Sequence, residues 1–264
     1  MYHGLNNDVL YSAKKITTSF VDDLGNVRHG SGTCFFIMHR GHMHLITNRH
    51  NLDLDYKEKA LQRRYKVISV SISGKLKYDD QLPVVDCDFS LVPTIQFHPD
   101  PANDVASIYP VVPLGSNPQI DFWIPSEMLA THDEFQRKIS VCDFVGFPGF
   151  PELHDSVASR PILRTGVISS DPRGSYARED SVRGDAVAYE AFSYPGSSGS
   201  PIFALQKGFK PGLGIMFEGF QRCCLVGINA GRLNNLGDSS HSGMSYFYKS
   251  TAITDLIELV GQHK

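Results

Sequence analysis

The sequence has no apolar run near the roughly 18 residues that a membrane-spanning helix needs. Its opening stretch, MYHGLNNDVLYSAKK, contains no signal-peptide apolar segment. A soluble, cytoplasmic chain without a membrane partner is expected. Cysteine is sparse and odd in number: Cys34, Cys87, Cys142, Cys223 and Cys224 are scattered in apolar runs without metal-ligand spacing. They read as buried thiols in a reducing compartment. Nor is there a charge excess. Lys and Arg total 25 against 28 Asp and Glu, a net charge of -3, so the electrostatic case for a nucleic-acid partner is poor. With 41% hydrophobic and 20% charged residues the 264-residue chain is neither disordered, collagenous nor a coiled coil, and it can bury a sizeable core.

What is present is a succession of short β-rich runs, at residues 9–21, 33–38, 44–47, 65–72, 89–92, 139–145, 186–194 and 223–228. Turn signals such as Asp22-Asp23-Leu24-Gly25-Asn26 and Gly146-Phe147-Pro148-Gly149 separate them. The pattern predicts an all-β sandwich or barrel. One helix stands out at the end: Ser250 or Thr251 can cap a segment whose Ile253, Leu256, Ile257 and Val260 share a face, with Gly261 following. Residues 97–134, rich in proline, break the strand rhythm and read as a crossover between two β halves, with a cleft expected at the midpoint.

Chemistry concentrates in three places. Tyr194-Pro195-Gly196-Ser197-Ser198-Gly199-Ser200-Pro201 leads into an apolar strand, and its glycines allow a tight backbone in which the Gly196 and Ser198 amides point the same way, as an oxyanion requires. A nucleophilic serine needs a base and an orienting acid. Of the eleven histidines, His50 ends the run His44-Leu45-Ile46-Thr47-Asn48-Arg49-His50, where an apolar strand gives way to a polar turn. A zinc reading of His39, His42, His44 and His50 lacks the accompanying carboxylate or cysteine spacing. For the acid, Val85, Cys87, Phe89 and Leu91 share one strand face and leave Asp86 and Asp88 on the other, as functional groups or as solvated edge charges.

These blocks together resemble the chymotrypsin-like (trypsin-fold) serine proteases, the bacterial Deg/HtrA protease domain more than the digestive enzymes, and without a PDZ domain. Gly30-Ser31-Gly32-Thr33-Cys34-Phe35-Phe36 and Leu45-Ile46-Thr47-Asn48-Arg49-His50 are similar to the family's Gly-x-Gly-Phe and Thr-x-x-His. Asp88-Phe89-Ser90-Leu91-Val92 resembles Asp-Leu-Ala-Val-Leu and selects Asp88 over Asp86. Gly196-Ser197-Ser198-Gly199-Ser200-Pro201 resembles Gly-Asn-Ser-Gly-Gly-Pro, with Ser197 and Ser200 as departures. Softer matches are Val145-Gly146-Phe147-Pro148 with Arg164–Ser169, and Val226-Gly227-Ile228-Asn229-Ala230-Gly231.

The resemblance implies two antiparallel six-stranded β-barrels and a C-terminal helix. Residues 1–115 would carry His50 and Asp88; residues 116–264 would supply the crossover, the barrel with Ser198 and the helix. It implies a serine endopeptidase with His50, Asp88 and Ser198 as triad, Gly196 and Ser198 as oxyanion hole, and Phe192, Asn229, Ala230 and Gly231 around the primary pocket. Phe192 at the pocket floor implies apolar residues before the scissile bond. The expected partner is a protein or peptide substrate, with room for a regulatory protein acting on the loops around Gly196; no cofactor and no metal are called for. The competing reading is a catalytically silent trypsin-fold module that binds or scaffolds. An α/β-hydrolase is excluded by Ser200 in the last glycine position and by the missing βαβ alternation.

Overall fold

A computed structural model describes residues 5–57, 64–77, 81–115, 118–178, 182–208, 219–235 and 240–261. The first half holds β1 (Ala13–Asp22), β2 (Val27–His39), β3 (His42–Thr47), β4 (Tyr65–Ser73), β5 (Phe89–Leu91), β6 (Ile95–Phe97), β7 (Ala106–Ile108), β8 (Pro113–Leu114) and β9 (Ile124–Pro125). They form one curled sheet in the order β6-β7-β3-β2-β1-β4-β5-β8, with β9 attached to β2. The second half holds β10 (Phe144–Gly149), β11 (Ile162–Ile168), β12 (Ala186–Glu190), β13 (Pro201–Ala204), β14 (Cys224–Asn234) and β15 (His241–Lys249), closed into a barrel. The all-β expectation holds. The first unit is a nine-stranded half-barrel rather than a closed six-stranded one, and the β2–β9 pairing is parallel. It also reaches beyond residue 115, because β9 belongs to it.

The apolar runs 33–38 and 44–47 form strands that are buried on both faces. In β2, Cys34 and Phe36 face the core inside the first sheet while Phe35 and Ile37 face a second core between the units. In β3, Leu45 and Ile46 divide in the same way. Across the interface, β13 turns Ile202 and Ala204 into the closed barrel and Phe203 outward, and β15 does likewise with Phe247 against Tyr246 and Tyr248. The shared central core therefore lies directly beneath the junction of the two sheets.

Three α-helices are described. The terminal one, α3 (Ser250–Gly261), buries Ala252, Ile253, Leu256 and Ile257 against the central core, and the Ser250 hydroxyl donates to the Ala130 carbonyl at 2.7 Å. Val260 lies outside the described side chains. Two were not expected. Asn6 caps α1 (Asn7–Tyr11), which replaces the start of the predicted strand at 9–21. The crossover contains α2 (His132–Arg137), where Thr131 and Glu134 form a capping box. The Glu134 carboxylate also takes two hydrogen bonds from Arg222, Nε to Oε1 and Nη2 to Oε2, each at 3.0 Å. Arg222 in turn donates to the carbonyls of Glu127 and Leu129, so one guanidinium pins the crossover to the approach of β14.

Because Glu134 is 8% exposed and holds both a cap and a guanidinium, Glu134→Ala is expected to cost about 2–4 kcal/mol in urea unfolding. Glu134→Gln, which keeps the cap, should recover part of that loss. A cost within the error of the measurement would show that the pair does not anchor the crossover.

Candidate active site

The pairing of β3 with β7 brings the first two groups together. Their antiparallel register sets Thr47 opposite Ala106. His50, three residues past Thr47 in a 3-10 turn (Arg49–Asn51), therefore meets Asp104, two residues before Ala106. The contact is double: the His50 backbone N–H donates to Asp104 Oδ1 at 2.9 Å, and His50 Nδ1 lies 2.6 Å from Oδ2. Asn48 fixes the loop from the other side by donating to the Asp104 carbonyl at 2.7 Å. The Asp104 side chain is 1% exposed and that of His50 is 18% exposed.

Asp104, not Asp88, is thus the carboxylate on His50. In the sheet order β3-β2-β1-β4-β5, the strand that follows Asp88 lies four places from β3, whereas β7 is its direct neighbour. Asp88 is exposed, and Asp86 is ion-paired with the buried Lys75. The missed acid lay inside the proline-rich crossover. Its signal was present in Asp104-Val105-Ala106-Ser107-Ile108, an acid preceding a short apolar strand, much as in Asp88-Phe89-Ser90-Leu91-Val92.

Ser198 comes from the other unit and is tied to the same region through its backbone. Its carbonyl accepts from the Thr33 N–H at 2.8 Å and from Asn51 Nδ2 at 3.2 Å, so the residue next to His50 holds the residue expected as nucleophile. Gly32 leaves the space that the Asn51 amide occupies; a Cβ there would collide with it. Gly199, at φ +92°, lies so close to the Thr33 carbonyl that no side chain fits.

Gly196 has φ +88°, and its carbonyl is turned away to accept from the Thr33 hydroxyl at 2.7 Å. Among the described residues the N–H groups of Gly196 and Ser198 have no intramolecular acceptor. Ser197, whose position the resemblance singled out, is buried with no partner on its hydroxyl among the described residues.

Burial lowers the basicity of His50, with the Asp104 carboxylate opposing that shift. Burial alone would raise Asp104, but His50 and Lys57 outweigh it and hold the carboxyl well below the usual range. Burial thus opposes charge on both groups, and the contacts made to Asp104 favour its ionised form.

A cleft of about 1070 Å³ runs past Ser198, lined on one side by Tyr56, Lys57 and Pro101 and on the other by Tyr194, Ala230 and Gly231. Ala230 and Gly231 thus line this cleft. Asn229 does not: its side chain is fully buried, donating to the Ser193 hydroxyl at 3.0 Å and the Ser197 carbonyl at 2.8 Å and accepting from the Tyr189 hydroxyl at 2.9 Å. It shapes the serine loop from behind. Phe192 does not line the cleft; it is 52% exposed and packs against His241 at a ring distance of 5.0 Å. His39 and His44 gather on the β2–β3 hairpin, where His44 stacks on Tyr109. Among the described residues no cluster of His, Cys, Asp or Glu has an arrangement that could hold a metal ion.

Thr33→Val strands the Gly196 carbonyl and the Phe150 N–H, which donates to the Thr33 hydroxyl at 3.0 Å. The expected cost is about 1–3 kcal/mol in urea unfolding. Unchanged stability would show that the hydroxyl does not hold the loop.

No family model matches the chain, and no curated protein matches it. Among solved structures, 231 chains are similar. One is the crystal structure of Deg5, with 16% identity and a TM-score of 0.52 over 96% of this chain and 90% of that one. At that identity the likeness concerns architecture alone, and the architecture is trypsin-like: two β units with a cleft at their junction and a C-terminal helix.

Proposed function

We propose that the protein is a serine endopeptidase that hydrolyses protein or peptide chains, with Ser198 as nucleophile, His50 as general base and Asp104 as orienting acid. The carrying observation is the two-point contact of His50 with the buried Asp104, in the turn whose Asn51 donates to the Ser198 carbonyl. As Ser198 Oγ forms its bond to the substrate carbonyl carbon, His50 Nε2 takes the hydroxyl proton. The carbonyl π-electrons move onto oxygen, where the Gly196 and Ser198 N–H groups stabilise the charge, each donor worth about 2.7–4 kcal/mol in well-studied hydrolases. Collapse breaks the C–N bond, and the imidazolium passes its proton to the departing amine. Water, deprotonated by His50, then hydrolyses the acyl-enzyme ester. Asp104 accepts from Nδ1–H throughout, leaving Nε2 free to take and return the proton.

A fluorophosphonate probe should label the wild-type protein at Ser198, and Ser198→Ala and His50→Ala should abolish both labelling and peptide hydrolysis without loss of fold. Failure of the wild type to label would favour a silent binding module.

The acid is tested separately. Asp104→Asn should lower turnover by about 10⁴-fold through the wrong imidazole tautomer, while Asp88→Asn should stay within about twofold, as befits an exposed surface residue. The reverse pattern in hydrolysis assays would restore Asp88 as the acid.

A further inference from the structure

Lys57 reaches into the cleft. Its Nζ lies 3.2 Å from Asp104 Oδ2, donates to the Ala230 carbonyl at 3.0 Å and interacts with the Tyr246 hydroxyl. The carboxylate oxygen it approaches is the one that faces His50 Nδ1 at 2.6 Å. Imidazole and ammonium therefore share Oδ2, while Oδ1 is taken by the His50 backbone. Ala230 belongs to β14 and Asp104 to the loop before β7, so this one side chain bridges the two β units.

Such a placement has two physical effects. The ammonium restrains rotation of the carboxylate, because leaving the imidazole would also break a charge-assisted contact. It also withdraws part of the negative charge that would otherwise stabilise the imidazolium. We propose that Lys57 is a positioning residue of the site, a fixed cation that locks the Asp104 carboxylate toward His50 and tempers the charge the imidazole feels. The proposal rests on the triad reading above.

The surroundings support this assignment. Burial is the largest influence on His50 and lowers its basicity; Asp104 raises it, and Lys57 lowers it further. Desolvation around Lys57 Nζ opposes its charge, but Asp104 and Tyr246 more than compensate, and the side chain keeps 41% of its surface exposed, so the ammonium persists. Among the described residues, Asp104 and Lys57 are the charges that act on His50, although Asp55, Asp100, Arg183 and Arg232 also line the cleft. Burial raises the hydroxyls of Tyr56, Tyr246 and Tyr248 and keeps them neutral. Arg49 is paired with Asp53 at 2.9 Å, and Asp100 acts on Tyr56.

The test reads His50 directly. Histidine-ring NMR titrations of the resting protein, with the His50 signal assigned by its loss in His50→Gln, are compared for wild type, Lys57→Met, Lys57→Gln and Lys57→Arg. Removing the cation should raise the His50 midpoint by about one pH unit in the Met and Gln variants, and the Arg variant should stay near wild type. Gln keeps a hydrogen-bond donor without the charge, so it provides the reading if Met does not fold. An unmoved midpoint in a folded Met or Gln variant would overturn the role given to Lys57. The titration needs no turnover; absence of hydrolysis therefore counts against the peptidase reading alone. In an active protein, the acid limb of kcat/KM should move upward together with the midpoint.

Discussion

The cleft depends on a single strand register. With Thr47 set opposite Ala106, the turn after β3 and the loop before β7 leave the same end of the sheet, and His50 and Asp104 have nowhere to go but against each other. A slip by one residue would invert every side chain of β7. Ala106 and Ile108 would then leave the first core, and Val105 would leave the central one. The packing that stabilises the fold is thus also what prevents the polar pair from separating. A carboxylate that is 1% exposed is tolerable only with its oxygens occupied, and the register delivers those partners.

The serine loop is assembled by different means. Thr33 and Asn51 hold it from the first unit and Asn229 from the second, and each uses a short neutral side chain that hydrogen-bonds to the loop backbone. Two glycines serve this network by what they omit. Gly32 makes room for the Asn51 amide, and Gly199 lets the chain lie against the Thr33 carbonyl. The motif Gly30-Ser31-Gly32-Thr33 and the motif Gly196-Ser197-Ser198-Gly199 are therefore two halves of one joint, although they stand far apart in sequence.

The strands of the cores were legible because apolar runs such as 33–38 and 44–47 bury both of their faces, and the terminal helix because Ile253, Leu256 and Ile257 repeat at helical spacing. His50 was legible because a strand stops there. Asp104 was not, since its strand has only three residues and sits in a segment whose prolines obscure any periodicity. Asp88 drew the assignment because Asp88-Phe89-Ser90-Leu91-Val92 resembles the block Asp-Leu-Ala-Val-Leu, but likeness of a short acid-plus-strand segment carries no information about sheet order. Asn229 and Phe192 were misplaced for a related reason. Spacing from the serine locates a residue along the chain, whereas the direction of its side chain is set by the barrel: into the interior for Asn229 and out to His241 for Phe192.

Ser197 stands where the resemblance expected an acid or amide, and the loop around it is secured by Thr33, Asn51 and Asn229, none of which titrates. A loop held by neutral hydrogen bonds is indifferent to ionic strength in a way that an ion-paired one is not. Its shape should persist from dilute buffer to concentrated salt, leaving screening to act on the charged side chains that line the cleft instead of on the architecture of the serine loop.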